Sequence, residues 1–389
     1  MGLIWLACAV PLFATVTDTV LTVGADITVV REVRPLSVGR GEQEILLTGI
    51  PEQADLSTLT LRLRRVPVQL LEWQWAGLDE DGLGTVRARI HMPVGGQHAF
   101  EVTYQVGGIF WQVDYQITPN TSGGGWDHER SRVMFVGRAH LENLTGRTFA
   151  DARILLVGAD PRQPRRAERR PGSLQLGDSP LAEAWRPVRP DPPMTHRYAL
   201  PQRLDVPART TTTTEWIRAD NVSATALYVM NARDIPLTME TEDYPLARHL
   251  LLLNRTAEGL GWPLPPGDVR VAMPPGNSIK GRLAHTPVNA EIRLEVGPDE
   301  RVRGRRERLF RTVVREGRFE EMYHLWVHNQ HDRAIDVEAV EESRSTQQGT
   351  VIHATHEYEI RAGAFRMRTA IPAGETWTAD LRLRVRASE

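Results

Sequence analysis

The chain of 389 residues contains one cysteine, Cys8, and one lysine, Lys280. A lone thiol excludes an internal disulfide and any zinc site built from several thiolates. The near absence of lysine leaves arginine as almost the whole basic complement of 47 residues. We read this as the coding bias of a GC-rich bacterial genome, with the consequence that guanidinium forks are on hand for carboxylate pairing. Charge of one sign is also lacking. The formal net charge is −2, which removes any general drive toward nucleic acid or an anionic membrane surface. No later segment is long and apolar enough to span a bilayer. No stretch of ten residues combines helical periodicity with caps. With 41% hydrophobic and 25% charged residues, the remaining class is a packed globular protein without helices.

The apolar stretch Leu3 to Ala14 has the length of a signal-peptide hydrophobic region and is too short to cross a membrane. It predicts export, with residues 1–17 as the signal peptide and a periplasmic or secreted mature chain. A lipid anchor on Cys8 is the second reading. A cytoplasmic chain with a buried first strand is the third.

What the chain does have is period-2 alternation. Trp377, Ala379, Leu381, Leu383 and Val385 fall on one side of the last segment, and Thr376, Thr378, Asp380, Arg382 and Arg384 on the other. That is a strand with one face buried and one wet. Pro372 and Gly374 supply a turn before it. The same wording recurs where Pro93 to Gly96 precedes Phe100, Val102, Tyr104 and Val106, and where Val206-Pro207-Ala208 precedes Thr210 to Trp216. We therefore expect an all-β fold of tandem immunoglobulin-like β-sandwich modules, spanning 18–106, 107–218 and 219–389. Within the second, 158–193 mixes Arg162, Arg165, Arg166, Arg169 and Arg170 with eight prolines and is expected to be a mobile surface loop. The surrounding chain is not basic, so the arginine run does not read as a nucleic-acid arm.

The segment Asn254 to Val271, reading Asn254-Arg255-Thr256-Ala257-Glu258-Gly259-Leu260-Gly261-Trp262-Pro263-Leu264-Pro265-Pro266-Gly267-Asp268-Val269-Arg270-Val271, resembles a signature of bacterial envelope proteins related to mucoidy inhibitor A, which carry a C-terminal domain of unknown function. His285-Thr286-Pro287, Ile292 to Gly297, Val327 to Asp332, Val30 to Val33, Gly41 to Pro51 and Gly107 to Tyr115 are similar to that family in the same order, so the likeness covers most of residues 20–388. The long coiled coil that many relatives insert after the first module is missing. The resemblance implies fold and envelope location, and no reaction. Physically, Gly259 and Gly261 can take positive φ and Pro263, Pro265 and Pro266 stiffen an extended link. No helix follows these glycines, so a phosphate cradle lacks its geometry.

Several constellations might carry chemistry. His324, His328 and His331, with His353 and His356, are the candidate metal ligands. Three such ligands plus water would make a hydrolytic zinc site. His324 and His328 share a strand face but stand ~13 Å apart at about 3.3 Å per residue, so the favoured reading is polar surface and turn residues. Trp73 and Trp75 share a strand face and, with Trp126, are candidate sugar platforms. Inter-sheet core packing is the blander role. Trp126-Asp127-His128-Glu129 brings acid and base together without a nucleophile. Sequons occur at Asn120, Asn143, Asn221 and Asn254 and matter only in a eukaryotic secretory pathway. The function expected is a non-catalytic exported envelope protein that binds a protein or glycan partner. It has no cofactor, no nucleic acid and no integral membrane span. The alternatives are a metal-assisted hydrolase using the C-terminal histidines and a carbohydrate-binding module.

Overall fold

The computed structural model describes residues 16–63, 67–120, 130–158, 196–232, 242–273, 276–315, 318–341, 350–361 and 364–386. The expected signal peptide lies outside them apart from its last two residues. The Trp126 to Glu129 cluster and the Pro/Arg-rich segment, apart from Gly158, also lie outside them.

The fold is all-β. Among the described residues the one helical element is a 3-10 turn at Thr256–Glu258. Contacts group the chain into two compact units, Met1–Asp114 with Gly137–Trp216, and Tyr115–Val136 with Ile217–Glu389. The expected boundary near 218 falls beside the one at Trp216. The expected boundary at 106 falls inside the first unit. Three strands, β8 (Ile109–Pro119), β9 (Arg130–Asn143) and β13 (Thr210–Asn231), run from one unit's residues into the other's.

In the first unit, seven strands form one sheet. Their order is β11 (His196–Ala199), β10 (Phe149–Gly158), β1 (Asp18–Val23), β2 (Thr28–Val38), β7 (Gly96–Val106) and β4 (Ala54–Arg62), with β12 (Leu204–Val206) also on β10. A second sheet has the order β3 (Gly41–Pro51), β6 (Leu83–Met92) and β5 (Gln69–Leu78). Alternation decides which face is inside. Phe100, Val102, Tyr104 and Val106 are buried on β7, as are Val86, Ala88, Ile90 and Met92 on β6. Arg34 ties the two sheets together. It donates to Glu32 Oε2 (3.0 and 2.6 Å) on its own strand and to the carbonyl of Thr48 (2.7 Å) on β3. Arg147 closes the other side of Glu32 and donates to the Tyr104 hydroxyl at 2.6 Å. A buried carboxylate held by two guanidinium groups is compensated, whereas either partner alone would be costly.

The second unit belongs to a thirteen-stranded sheet. Its main path runs β16 (Asn277–Leu283), β15 (Gly267–Met273), β8, β9, β13, β14 (Tyr244–Leu253), β17 (Glu291–Arg315), β18 (Arg318–Asn329), β23 (Thr376–Arg386) and β20 (Thr350–Ala354). Off this path, β19 (Ile335–Glu341) pairs with β13 and β22 (Ala364–Ile371), and β21 (Glu359–Arg361) with β22. Tyr228, Leu246, Val302, Leu325, Val337, Met367 and Leu381 belong to one apolar cluster between these strands. The alternation of the last segment holds: Ala379, Leu381, Leu383 and Val385 are buried.

One device recurs three times. Asn143, Asn254 and Asn329, each fully buried, stand at the end of a strand. The side-chain amide of each donates to three carbonyls. For Asn143 these are Arg147, Val206 and Pro207 (2.8, 3.2 and 3.0 Å). For Asn254 they are Trp262, Thr286 and Pro287 (2.7, 3.3 and 3.0 Å). For Asn329 they are Arg333, Ile371 and Pro372 (2.8, 3.1 and 2.8 Å). Each amide oxygen accepts a backbone N–H, from Thr145, Gly261 and His331 respectively. After each proline comes a residue in the left-handed region two positions on: Arg209 (φ 55°), Asn289 (φ 69°) and Gly374 (φ 69°). The strand that follows, β13, β17 or β23, lies beside the strand that carried the asparagine. The asparagine thus fastens both ends of an excursion of the chain. Two of the turns are those heard in the sequence; the third, at Thr286-Pro287, is new. Asn143 and Asn254 are also sequon asparagines, and their amides are consumed inside the fold.

Candidate interaction surface

Strand β17 is long because it serves two partners in succession. It pairs with β14 from Glu291 to Gly304 and with β18 from Val302 to Arg315. Beyond Gly304, no described strand lies on its β14 side. Arg306 anchors the departure point. It is buried, donates to both Glu341 oxygens (2.9 and 2.7 Å) and stacks 3.8 Å over the Tyr323 ring. Between Arg308 and Phe310 the register with β18 shifts. The bulge at Leu309 moves the following side chains by one position relative to the faces of the sheet.

Direct pairing places side chains in rows across β17, β18 and β23. Trp326 stands between Arg305 and Thr378, His324 between Glu307 and Asp380, Met322 between Phe310 and Arg382, and Glu320 between Thr312 and Arg384. Glu320 accepts from Arg384 (3.1 and 2.6 Å) and from Arg382. The Arg384 and Arg382 hydrogen bonds hold its carboxyl below the usual range. His324 Nδ1 lies 2.7 Å from Asp380 Oδ1. His328 Nδ1 lies 3.0 Å from Thr376 Oγ1, and its ring stacks on Trp326 at 5.9 Å.

These rows show what became of the candidate ligands. His324 and His328 face outward from one strand, as alternation requires, each with its own neighbour. His331 takes another course. The Asn329 clamp turns the chain, and the His331 ring enters the interior, with Nε2 3.1 Å from Asp299 Oδ2 and 3.2 Å from the Tyr228 hydroxyl. Burial holds the His331 imidazole below its ordinary value although Asp299 pulls the other way. Burial also pushes the Tyr228 phenol up to about 12. Asp299 stays below the carboxylate range because the Arg301 amide, His331 and Tyr228 outweigh its own burial. His353 stands opposite Arg382, and the His356 ring packs 5.2 Å from Trp377. Among the described residues no three His, Cys, Asp or Glu side chains are placed to hold a metal ion.

The two described tryptophan candidates, Trp73 and Trp75, each make a contact within the protein. Trp73 donates Nε1–H to the Leu56 carbonyl at 2.7 Å. Trp75 is 37% exposed, and its ring lies over Gly84, where a Cβ would come within 2.1 Å of it. Both residues pair opposite buried positions, Ala88 and Val86.

No protein-family model matches the chain, and no curated protein matches it. The surface chemistry must therefore carry the functional reading, and it concentrates at the far end of the β17–β18 hairpin. Leu309, Val313 and Val314 are 50%, 64% and 43% exposed. From Arg305 to Arg318 the chain carries six arginines and two glutamates. The nearby carboxylates of β18 are already engaged. Glu321 accepts from the Tyr323 hydroxyl (2.7 Å) and lies 3.4 Å from Arg311 Nε, whose guanidinium covers the Phe319 ring at 4.2 Å. Among the described residues, Arg315 and Arg318 take part in no ion pair. Sequence reasoning passed over this segment. Its signal is the run Leu309, Phe310, Val313 and Val314 laced with arginine at spacings that fit no single buried face.

Proposed function

We propose that this is a non-catalytic binding protein of the bacterial cell envelope. In this reading it is exported by its N-terminal apolar stretch, related to the mucoidy inhibitor A group, and engages a protein partner. The observation that carries the reading is the solvent-facing apolar end of the β17–β18 hairpin, Leu309, Val313 and Val314. Contiguous apolar surface of this kind marks interaction sites. Order of the family-like motifs supports the location, and the separate neighbours of His324, His328 and His331 favour binding over metal-assisted hydrolysis.

A photo-crosslinking residue at Val313, in protein expressed in its own host, should give a discrete protein adduct in the envelope fraction. The same residue at exposed Ser57 should not. The reading is overturned by a metal-dependent hydrolase activity of the purified protein that is lost in His324→Ala, or by adducts no different at the two positions.

A further inference from the structure

We infer that the Asn329 joint is a pH-sensitive latch: proton uptake by His331 favours release of the two turns it joins, Gln330 to Ala334 and Pro372 to Glu375, while the strands around them stay paired. The latch goes beyond the partner reading and stands whether or not that reading does. Three observations converge on it. First, the ring has nowhere to put a second proton. Its side chain is 1% exposed. Nε2 lies 3.1 Å from Asp299 Oδ2 and 3.2 Å from the Tyr228 hydroxyl, which donates its own proton to that Oδ2 at 3.1 Å. An ionised carboxylate only accepts, so the neutral ring carries its proton on Nε2 and a lone pair on Nδ1. No described residue bonds to Nδ1. A proton added there creates a buried donor without an acceptor and a buried charge. Second, the surroundings compensate that charge poorly. Facing the ring are Asp299 and Arg301 from β17, Tyr228 from β13 and Arg333 from its own turn. Arg248 of β14 faces the Tyr228 hydroxyl. Asp332 and Glu375, on the turns themselves, are exposed. Asp299 attracts the charge, but its Oδ1 already accepts the Arg301 amide at 3.0 Å. Burial, Arg301 and Arg333 oppose it. Third, the His331 backbone is itself part of the fastening. Its N–H donates to Asn329 Oδ1 at 2.9 Å, and its carbonyl accepts the Gly374 N–H at 3.2 Å. On either side, Gln330 N–H donates to the Arg301 carbonyl (2.8 Å) and Asn329 N–H to the Glu375 carbonyl (3.0 Å). A ring that leaves the interior pulls on all of these. At the other two clamps the matching N–H comes from Thr145 and Gly261, which do not titrate. They are internal controls of the same design.

The measurement is backbone amide exchange on the full chain at pH 7.5 and at pH 5.0, each rate divided by its intrinsic value. Protection of the His331 and Gly374 amides should fall about threefold or more between the two, because the open joint takes up a proton that the closed one refuses. Protection of the Thr145 and Gly261 amides should not change. His331→Gln keeps a donor for Asp299 and cannot become charged, so its joint should hold the same protection at both pH values. A second readout needs no variant. In the wild type, the ring's own NMR titration should lie below the ordinary value of about 6.5, and the fall in protection should level off once that titration is complete. Unchanged protection at His331 and Gly374 would overturn the inference. So would an equal fall at Gly261, which marks a general loosening, or an equal fall in His331→Gln. A ring that titrates at or above the ordinary value would overturn it as well.

Discussion

At Asn329, two amide protons are shared among three carbonyl oxygens, and the amide oxygen takes the His331 N–H. No other side chain of that size both donates and accepts in this way. Asn329→Asp keeps the shape but leaves the carbonyls without a donor and sets a charge among them. We expect it to cost about 3 kcal/mol or more, judged from ~1–3 kcal/mol for each buried group left unsatisfied, and no less than Asn329→Ala. Urea midpoints decide this. His331 makes a second prediction. Its folded-state pKa lies below the ordinary value of about 6.5. Unfolded chains therefore take up a proton that folded chains refuse as pH falls from about 6.5 toward that lowered value. Stability should be level above the window and decline through it, and His331→Gln should flatten the decline between pH 7 and 5. A level wild-type curve would contradict the buried neutral ring. None of this was legible in the sequence, because the partners of Asn329 and His331 are brought together only by folding: Pro372 lies 43 positions from Asn329 and Asp299 lies 32 from His331.

Among elements, strands were read well and their joints only in part. Alternation on β7 and β23 foretold which residues are buried because a sheet with one wet face writes its orientation into every second residue. The glycines of Gly259-Leu260-Gly261 do adopt positive φ (89° and 119°), and the structure adds the reason: this turn delivers the Gly261 N–H to Asn254. A Cβ on Gly261 would come within 2.4 Å of Thr256 Oγ1 and 2.9 Å of its backbone nitrogen. Gly261→Ala should therefore destabilise by roughly 1–3 kcal/mol, the scale of forced backbone strain. Gly374→Val, which meets no clash but sits at φ 69°, should cost about 1–2 kcal/mol from the left-handed backbone alone. Thermal melts of both variants check the ranking. The β17–β18 hairpin stayed hidden for the opposite reason: its apolar residues are exposed, so period and burial do not agree there.

On the scale of the chain, two of the three repeated turns, at Pro207 and Pro372, are held by asparagine clamps, and contacts group the residues into two units. The candidate metal ligands, by contrast, were close in sequence and are dispersed by strand geometry, so proximity along the chain was a poor guide. Neither reductant nor chelator should shift the melting temperature, since cohesion rests on apolar burial, ladders, and pairs such as Arg306–Glu341. A shift with chelator of more than about 2 °C, on the order of 0.5 kcal/mol, would argue for a bound ion. The clamps have one more consequence. The prolines they hold lie 64, 33 and 43 positions downstream of their asparagines, yet the three fasteners are alike. Span length is therefore uncoupled from the frame, and lengthening a span adds closure entropy only logarithmically. Each fastener works as a socket with welded rims, so spans of very different length are seated by one and the same joint.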